Sequence, residues 1–238
     1  MAYKRSGGGY TPYTSLFYFE FGYYILHAGS CILLYKINKQ KSAYGISLDS
    51  QIALLIATLA RCVWFNDTQL PSMWMAWIEI VMAIVLHSVI VYLCVSYTDI
   101  LQQKIPIALR WYVFVSIAAA LSLVFYPGKA GKYYLTQQMF VSLTMFIEAL
   151  SLVSQLYHMH IGNALEGLNK WYLIALGVSR LTRIGFWVTM SSRLMTFWFL
   201  IAADTIHSLM VVAFAVIYFR VRVKTNKESV LTFSGKDA

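Results

Sequence analysis

An all-α integral membrane protein of seven transmembrane helices, built as two parallel three-helix bundles joined by a linker helix (3+1+3), is the fold class this sequence predicts. Three observations carry the prediction. Of 238 residues, 59% are apolar and 12% charged. Soluble domains carry about 25% charged residues, so the polar side chains here are too few to cover a water-facing surface. The apolar residues fall into seven stretches of roughly 20, the length a bilayer core demands of a helix. The chain also resembles itself at a shift of 122 residues. Leu34-Tyr35 returns as Leu156-Tyr157, Gly45 as Gly167, Arg61 as Arg183, and the aromatic pair Trp64-Phe65 as Phe186-Trp187. A repeat of this kind in apolar sequence reads as a duplicated helical bundle.

Taken in order, span 1 covers 15–36 and gives out in the polar run Asn38 to Ser42. Span 2 (46–65) stops at Asn66, and Pro71 opens span 3 (71–97). Thr98 to Pro106 leads into span 4 (108–126), which Pro127 closes. Span 5 (134–157) ends at His158-Met159-His160, and Gly162 to Asn169 separates it from span 6 (168–190). Only Ser191-Ser192-Arg193 divides span 6 from span 7 (194–221), so hydropathy alone allows six spans or seven. The repeat favours seven, because it maps spans 1, 2 and 3 onto 5, 6 and 7 and leaves span 4 as the connector. The expected organisation is an N-terminal extension (1–14), repeat 1 (about 15–97), the linker helix (about 108–126), repeat 2 (about 134–221) and a basic polar tail (222–238).

Alternate loops fall on opposite sides. Lys4, Arg5, Lys129, Lys132 and Arg193 share one side; Lys36, Lys39, Lys41, Lys104, Lys170 and the tail bases Arg220, Arg222, Lys224, Lys227 and Lys236 share the other. The positive-inside rule places the C-terminus in the cytosol, or in the matrix of a mitochondrion. The net charge of +9 reflects this bias and the intramembrane arginines. No basic stripe lies outside the loops, so nucleic-acid binding is not expected. Cys31, Cys62 and Cys94 all fall in spans without metal spacing and read as packing residues. The imidazoles of His158 and His160 lie two apart, on different helix faces, and do not suggest a metal site. Trp74, Trp77, Tyr133, Tyr134, Trp171 and Tyr172 stand at span ends as interfacial anchors. The sequence shows no nucleotide loop, no nucleophile–base arrangement and no zinc motif, so neither a catalytic residue nor a cofactor is expected.

Ionisable side chains inside a membrane are costly and are functional candidates by default. Here they are Arg61, Glu79, Glu148, Arg180, Arg183 and Asp204, with Glu20 and Arg110 nearer the ends. Arg180 and Arg183 share a helix face. Arg61 and Arg183 are equivalent in the repeat and are expected to face each other, with an anion or a carboxylate such as Glu148 between them. Two readings stand: an anion site, or an internal ion-pair network. Glu79 and Asp204 must find partners, either in a neighbouring subunit, which is the preferred expectation, or within the bundle.

Two stretches carry a family resemblance. One runs through Leu33-Leu34-Tyr35-Lys36, Gly45-Ile46-Ser47, Ser50-Gln51 and Ala60-Arg61. The other runs through Ile147-Glu148-Ala149-Leu150, Gln155-Leu156, Tyr172 to Val178 and Arg180. They resemble the receptors that retain endoplasmic-reticulum lumen proteins by their C-terminal Lys-Asp-Glu-Leu-type signals. The resemblance implies the Pro-Gln-loop, sugar-transporter-like fold of seven helices. It also implies a ligand pocket in which Arg61, Glu148, Arg180 and Trp187 occupy matching positions, Arg61 being the one that meets the ligand's carboxylate. Much of the implied pocket is changed: Phe19, Ser179, Arg183, Phe186, Met190, Phe199 and Ala215 stand where the resemblance implies other polar residues, Ser154 replaces the Pro of the Pro-Gln pair, and the family's His falls on Leu26 beside His27.

An acidic tetrapeptide needs several fixed cations, since its charges lose hydration on binding. The expectation is therefore a non-catalytic accessory subunit of a larger membrane complex on a receptor-like fold, in the mitochondrial inner membrane or in ER and Golgi membranes. Its expected partners are other membrane-protein subunits and anionic lipids, with bound phospholipid (cardiolipin if mitochondrial). The alternative is a divergent retrieval receptor that binds C-terminal tetrapeptides, with His27 as pH sensor and Arg61, Glu148, Arg180, Arg183 and Trp187 as its residual site. A third reading is a small-anion transporter; the placement of all four prolines in loops or at span ends argues against its rocking motion.

Overall fold

The computed structural model describes residues 13–66, 70–97, 105–125, 139–162, 170–192 and 198–234, with side chains described from 15 to 159 and 170 to 220 within these ranges. Residues 1–12 of the N-terminal extension, the loop bases Lys104, Lys129, Lys132 and Arg193, and Tyr133 and Tyr134 lie outside them. Among the described residues the chain is all helical, with no strand. Its helices are α1 (Tyr13–Gln40), α2 (Leu48–Phe65), α3 (Trp74–Ser96), α4 (Trp111–Val124), α5 (Met139–Gly162), α6 (Lys170–Ser191) and α7 (Trp198–Ser234), with short 3-10 turns at Leu70–Ser72 and Ile107–Leu109. Five of them, α2, α3, α5, α6 and α7, are long and apolar enough to cross a membrane. At 14 residues, α4 reaches only about 21 Å.

Local chemistry explains the ends. Helix α1 turns back through Lys41 (φ 51°) and Gly45 (φ 84°), the second in the conformation glycine adopts without strain. Ser47 caps α2, its Oγ accepting from the Ser50 amide at 3.3 Å. Asp49, in the first turn of α2, also serves α4: its Oδ1 accepts from the Trp111 amide at 3.1 Å, and its Oδ2 lies 3.4 Å from Arg110. The α1–α2 turn is tied to α5 by Gln155, which accepts from the Ser47 amide at 2.9 Å and donates to the Gly45 carbonyl at 2.7 Å, while the Ser47 and Ser154 hydroxyls meet at 2.8 Å. The serine that replaces proline in the Pro-Gln pair is thus a hydrogen-bonding partner. Helix α7 runs past the expected boundary at 221 to Ser234, because no glycine or proline interrupts it.

Helix α1 packs against α6 and α3, α2 against α5, α3 and α4, and α5 against α7 and α4. Shifted by 122, the end of α1 falls on Gly162, the end of α5, and the start of α2 falls on Lys170, the start of α6. Small residues bring the helices close, as membrane packing favours. A Cβ on Gly29 would stand 2.9 Å from that of Ala175, and one on Gly22 would stand 2.5 Å from Thr182 Oγ1, so α6 side chains pack directly on the α1 backbone at both glycines. Three apolar clusters form the interior, centred on Leu33, Ile90 and Phe214; on Ala53, Ala118 and Ile147; and on Leu16, Trp64 and Phe65.

The exposed faces are apolar, as a lipid boundary requires. Trp74, Trp77 and Trp171 are exposed at helix starts, but Tyr172 is buried: one step along a helix turns it about 100° from Trp171, so it is not an interfacial anchor. Cys31, expected to pack, is exposed; Cys62 is half-buried and Cys94 buried.

Candidate functional site

A layer of buried polar side chains runs across the middle of this bundle. Helix α1 supplies Glu20, Tyr23, His27 and Ser30, spaced so that one helix face carries them all; each is buried. From α2 come Arg61 and Thr58, from α3 Glu79 and His87, from α5 Glu148, from α6 Arg180, Arg183 and Trp187, and from α7 Asp204 and His207.

Two ion-pair centres result. In the first, Arg61 Nη2 donates to Glu79 Oε1 at 2.6 Å, and His27 Nε2 donates to the same oxygen at 2.5 Å. In the second, Asp204 gathers three side chains of α6. Trp187 Nε1 donates to its Oδ2 at 2.7 Å, Arg180 Nη1 to Oδ1 at 3.4 Å, and Arg183 reaches both oxygens at 3.5 Å. The spacing of Arg180 and Arg183 on one face thus brings both to a single carboxylate. Glu79 and Asp204 are 2% and 3% exposed, which corrects the expectation that they reach a neighbouring subunit. A buried carboxylate without a cation is far more costly than one with it, and the arginines of α2 and α6 stand within reach.

Tyr23 joins the two centres. Its ring lies 4.0 Å from the Arg61 guanidinium carbon and 5.3 Å from that of Arg183, and its hydroxyl donates to Glu148 Oε1 at 3.2 Å. The expected meeting of Arg61 and Arg183 across a carboxylate is therefore corrected. An aromatic ring stands between them, offering π density to both cations, while each arginine has its own acid. Phe19, where the resemblance implies an arginine, presents its ring to Arg183 at 4.5 Å. Glu148 takes the Tyr23 hydroxyl and lies 3.7 Å from His207 Nδ1. That nitrogen accepts from Arg180 Nη1 at 2.9 Å, which assigns the ring proton to Nε2 and leaves the His207–Glu148 approach as proximity, not a hydrogen bond. His87 Nδ1 lies 3.0 Å from the Ala83 carbonyl and 3.1 Å from Thr58 Oγ1, whose own proton goes to the Leu54 carbonyl at 2.9 Å. His87 and His207 are thus both held by hydrogen bonds inside the bundle.

Between the centres lies a cavity of about 30 Å³, lined by Tyr23, His27, Arg61, Glu148, Arg180 and His207 among others. Arg61, Arg180, Glu148 and His27 therefore converge as the sequence anticipates, whereas Arg183 and Trp187 sit behind this lining, on Asp204. Such a volume suits about two water molecules, against the ~300–1,000 Å³ of pockets that enclose sizeable ligands. The charge balance is equally restrictive. Three arginines face Glu79, Asp204 and Glu148, and Glu20 adds a further buried carboxyl, so the layer holds no excess of fixed positive charge. Among the described residues no group of three His, Cys, Asp or Glu converges as metal ligands do.

Sequence reasoning missed Tyr23, and it marked Phe19 only as a changed pocket position without foreseeing its contact with Arg183. The signal for Tyr23 was present: it lies four residues before His27 and three after Glu20, on one helical face. Residues 42–190 match the family described as the ER lumen protein retaining receptor. No curated protein matches the chain.

Proposed function

The chain belongs to the ER lumen protein retaining receptor family, and from that membership we propose a non-catalytic multi-pass membrane protein that keeps the receptor fold while its ligand pocket is filled from within. Its role is that of an accessory, structural subunit in a larger membrane assembly, with other membrane-protein subunits and anionic lipids as its partners. The observation that carries this reading is the pairing of Arg61 and Arg180, which line the cavity of about 30 Å³, and of Arg183 behind them, with carboxylates of the chain itself. An acidic tail entering here would have to displace Glu79 or Asp204, each already desolvated and hydrogen-bonded. Separating a buried ion pair costs about 3–5 kcal/mol, a large part of the ~8 kcal/mol that a micromolar ligand provides.

The 3+1+3 arrangement belongs to this proposal. It is supported by the coincidence of helix ends under the 122-residue shift and by the packing of α1 on α6 and α2 on α5, two contacts that exchange when the repeats exchange. Two addresses suit the protein: the ER and Golgi membranes of the family, and the mitochondrial inner membrane, where cardiolipin would answer the basic loops. Localisation of a tagged chain decides between them. Purification in mild detergent tests the subunit role: co-purification of stoichiometric membrane partners supports it, and a lone 27.2 kDa species overturns it. Convergence of Arg61, Arg180, Glu148 and His27 on one cavity favours the second reading, a divergent retrieval receptor, and a peptide titration separates the two.

A further inference from the structure

The arginines of this layer do more than balance charge. Asp204 receives hydrogen bonds from Arg180 Nη1, Arg183 Nε, Arg183 Nη2 and Trp187 Nε1. A carboxylate held by two guanidinium groups and an indole is in the environment of a bound anion, except that this carboxylate is supplied by the next helix. Glu79 is held in the same manner by Arg61 and His27. Arg61 Nε, Arg180 Nε and Arg183 Nη1 are buried with no hydrogen-bond partner, but so are the acceptors Glu20 Oε2 and Glu148 Oε2, so with Glu79 and Asp204 in place the donors and acceptors of the layer are nearly matched.

We propose that Glu79 and Asp204 are tethered substitutes for the carboxylates of a free ligand, and that the arginines they occupy form two latent binding sites for small carboxylate anions. The inference rests on the reading above, that the pocket is filled from within, and extends it by naming the residues that fill it and the ligand class they displace. Each tether is short. Glu79→Ala removes a group the size of acetate, and Asp204→Ala a group the size of formate, each leaving its donors facing a void of matching shape.

The test is chemical rescue in detergent, read by the thermal unfolding midpoint. Glu79→Ala is titrated with acetate and Asp204→Ala with formate, with acetamide, formamide and chloride at equal concentration as controls. The expected result is a lowered midpoint in each variant that rises saturably with the carboxylate, by about 3 °C over roughly 100 mM. The amides and chloride leave it unchanged, and the wild type does not respond. Equal responses to carboxylate and amide, or none to either in a folded variant, overturn the proposal. Should a variant fail to purify without additive, the comparison moves to purification itself: monodisperse protein recovered with carboxylate and not with amide supports the proposal, and indifference between the two overturns it. Binding of an acidic peptide to the wild type would refute the proposed function yet leave this rescue as it was, so the two failures are distinguishable.

Discussion

Replacing Arg61 and Glu79 separately and together isolates the worth of the first ion-pair centre. Arg61 Nη2 and Glu79 Oε1 stand 2.6 Å apart, with their side chains 4% and 2% exposed, so solvent screens neither. Arg61→Met leaves Glu79 a buried anion held only by His27; Glu79→Gln keeps an acceptor for His27 but leaves Arg61 a buried cation beside Tyr23. Each single change is expected to cost about 3–5 kcal/mol, a fall of roughly 6–20 °C in the unfolding midpoint for a chain of this size. The double variant carries no unpaired charge and is expected to lie within about 1–2 kcal/mol of the wild type, the residue being the lost contact with the Tyr23 ring. Unfolding of purified protein in detergent, followed thermally and by SDS titration, gives the coupling energy. A value near 3 kcal/mol or above agrees with the reasoning. A value at the ~0.6 kcal/mol typical of interhelical hydrogen bonds in membranes refutes it, because the two charges would then be solvated or otherwise partnered.

The second centre should be asymmetric. Asp204→Asn withdraws the counter-charge from two arginines at once and should destabilise more than Arg180→Met or Arg183→Met alone, by roughly 1–2 kcal/mol in the same assay; equal effects would deny the sharing. At the helix contact, Gly29→Leu drives a branched side chain into Ala175 and should prevent assembly of α1 on α6. Gly29→Ala, meeting Ala175 Cβ at 2.9 Å, should cost about 1–3 kcal/mol, measured by SDS resistance. A Gly29→Ala protein as stable as the wild type would show that α1 and α6 adjust freely.

What could be read from the sequence follows the physics of each signal. The helices were legible because lipid imposes a length and an apolar content on every span, and the breaks at Asn38–Ser42, Pro71 and Gly162 each sit within a few residues of a helix end. The end of α7 was not, because a polar segment such as 222–234 carries no lipid-driven pattern that says whether the helix continues. The charged residues were legible one by one, since each is an anomaly in apolar sequence. Their pairing was not: Glu79 lies 18 residues from Arg61 and Asp204 lies 21 from Arg183, and only helix rotation decides whether such residues face a neighbouring helix or another subunit. Tyr23 escaped because tyrosine is common at membrane boundaries, and a tyrosine between two arginines looks the same in sequence as one at an interface. Tyr172 misled in the opposite sense.

The central claim, that the chain's own carboxylates occupy the arginines a signal peptide would need, is tested most directly by titrating the purified protein with a peptide ending in Lys-Asp-Glu-Leu at mildly acidic pH, alongside Arg61→Ala. The account predicts no saturable binding for either protein up to about millimolar peptide, the limit at which binding supplies only ~4 kcal/mol. Saturable micromolar binding by the wild type, lost in Arg61→Ala, would contradict it and return the protein to the receptors of its family.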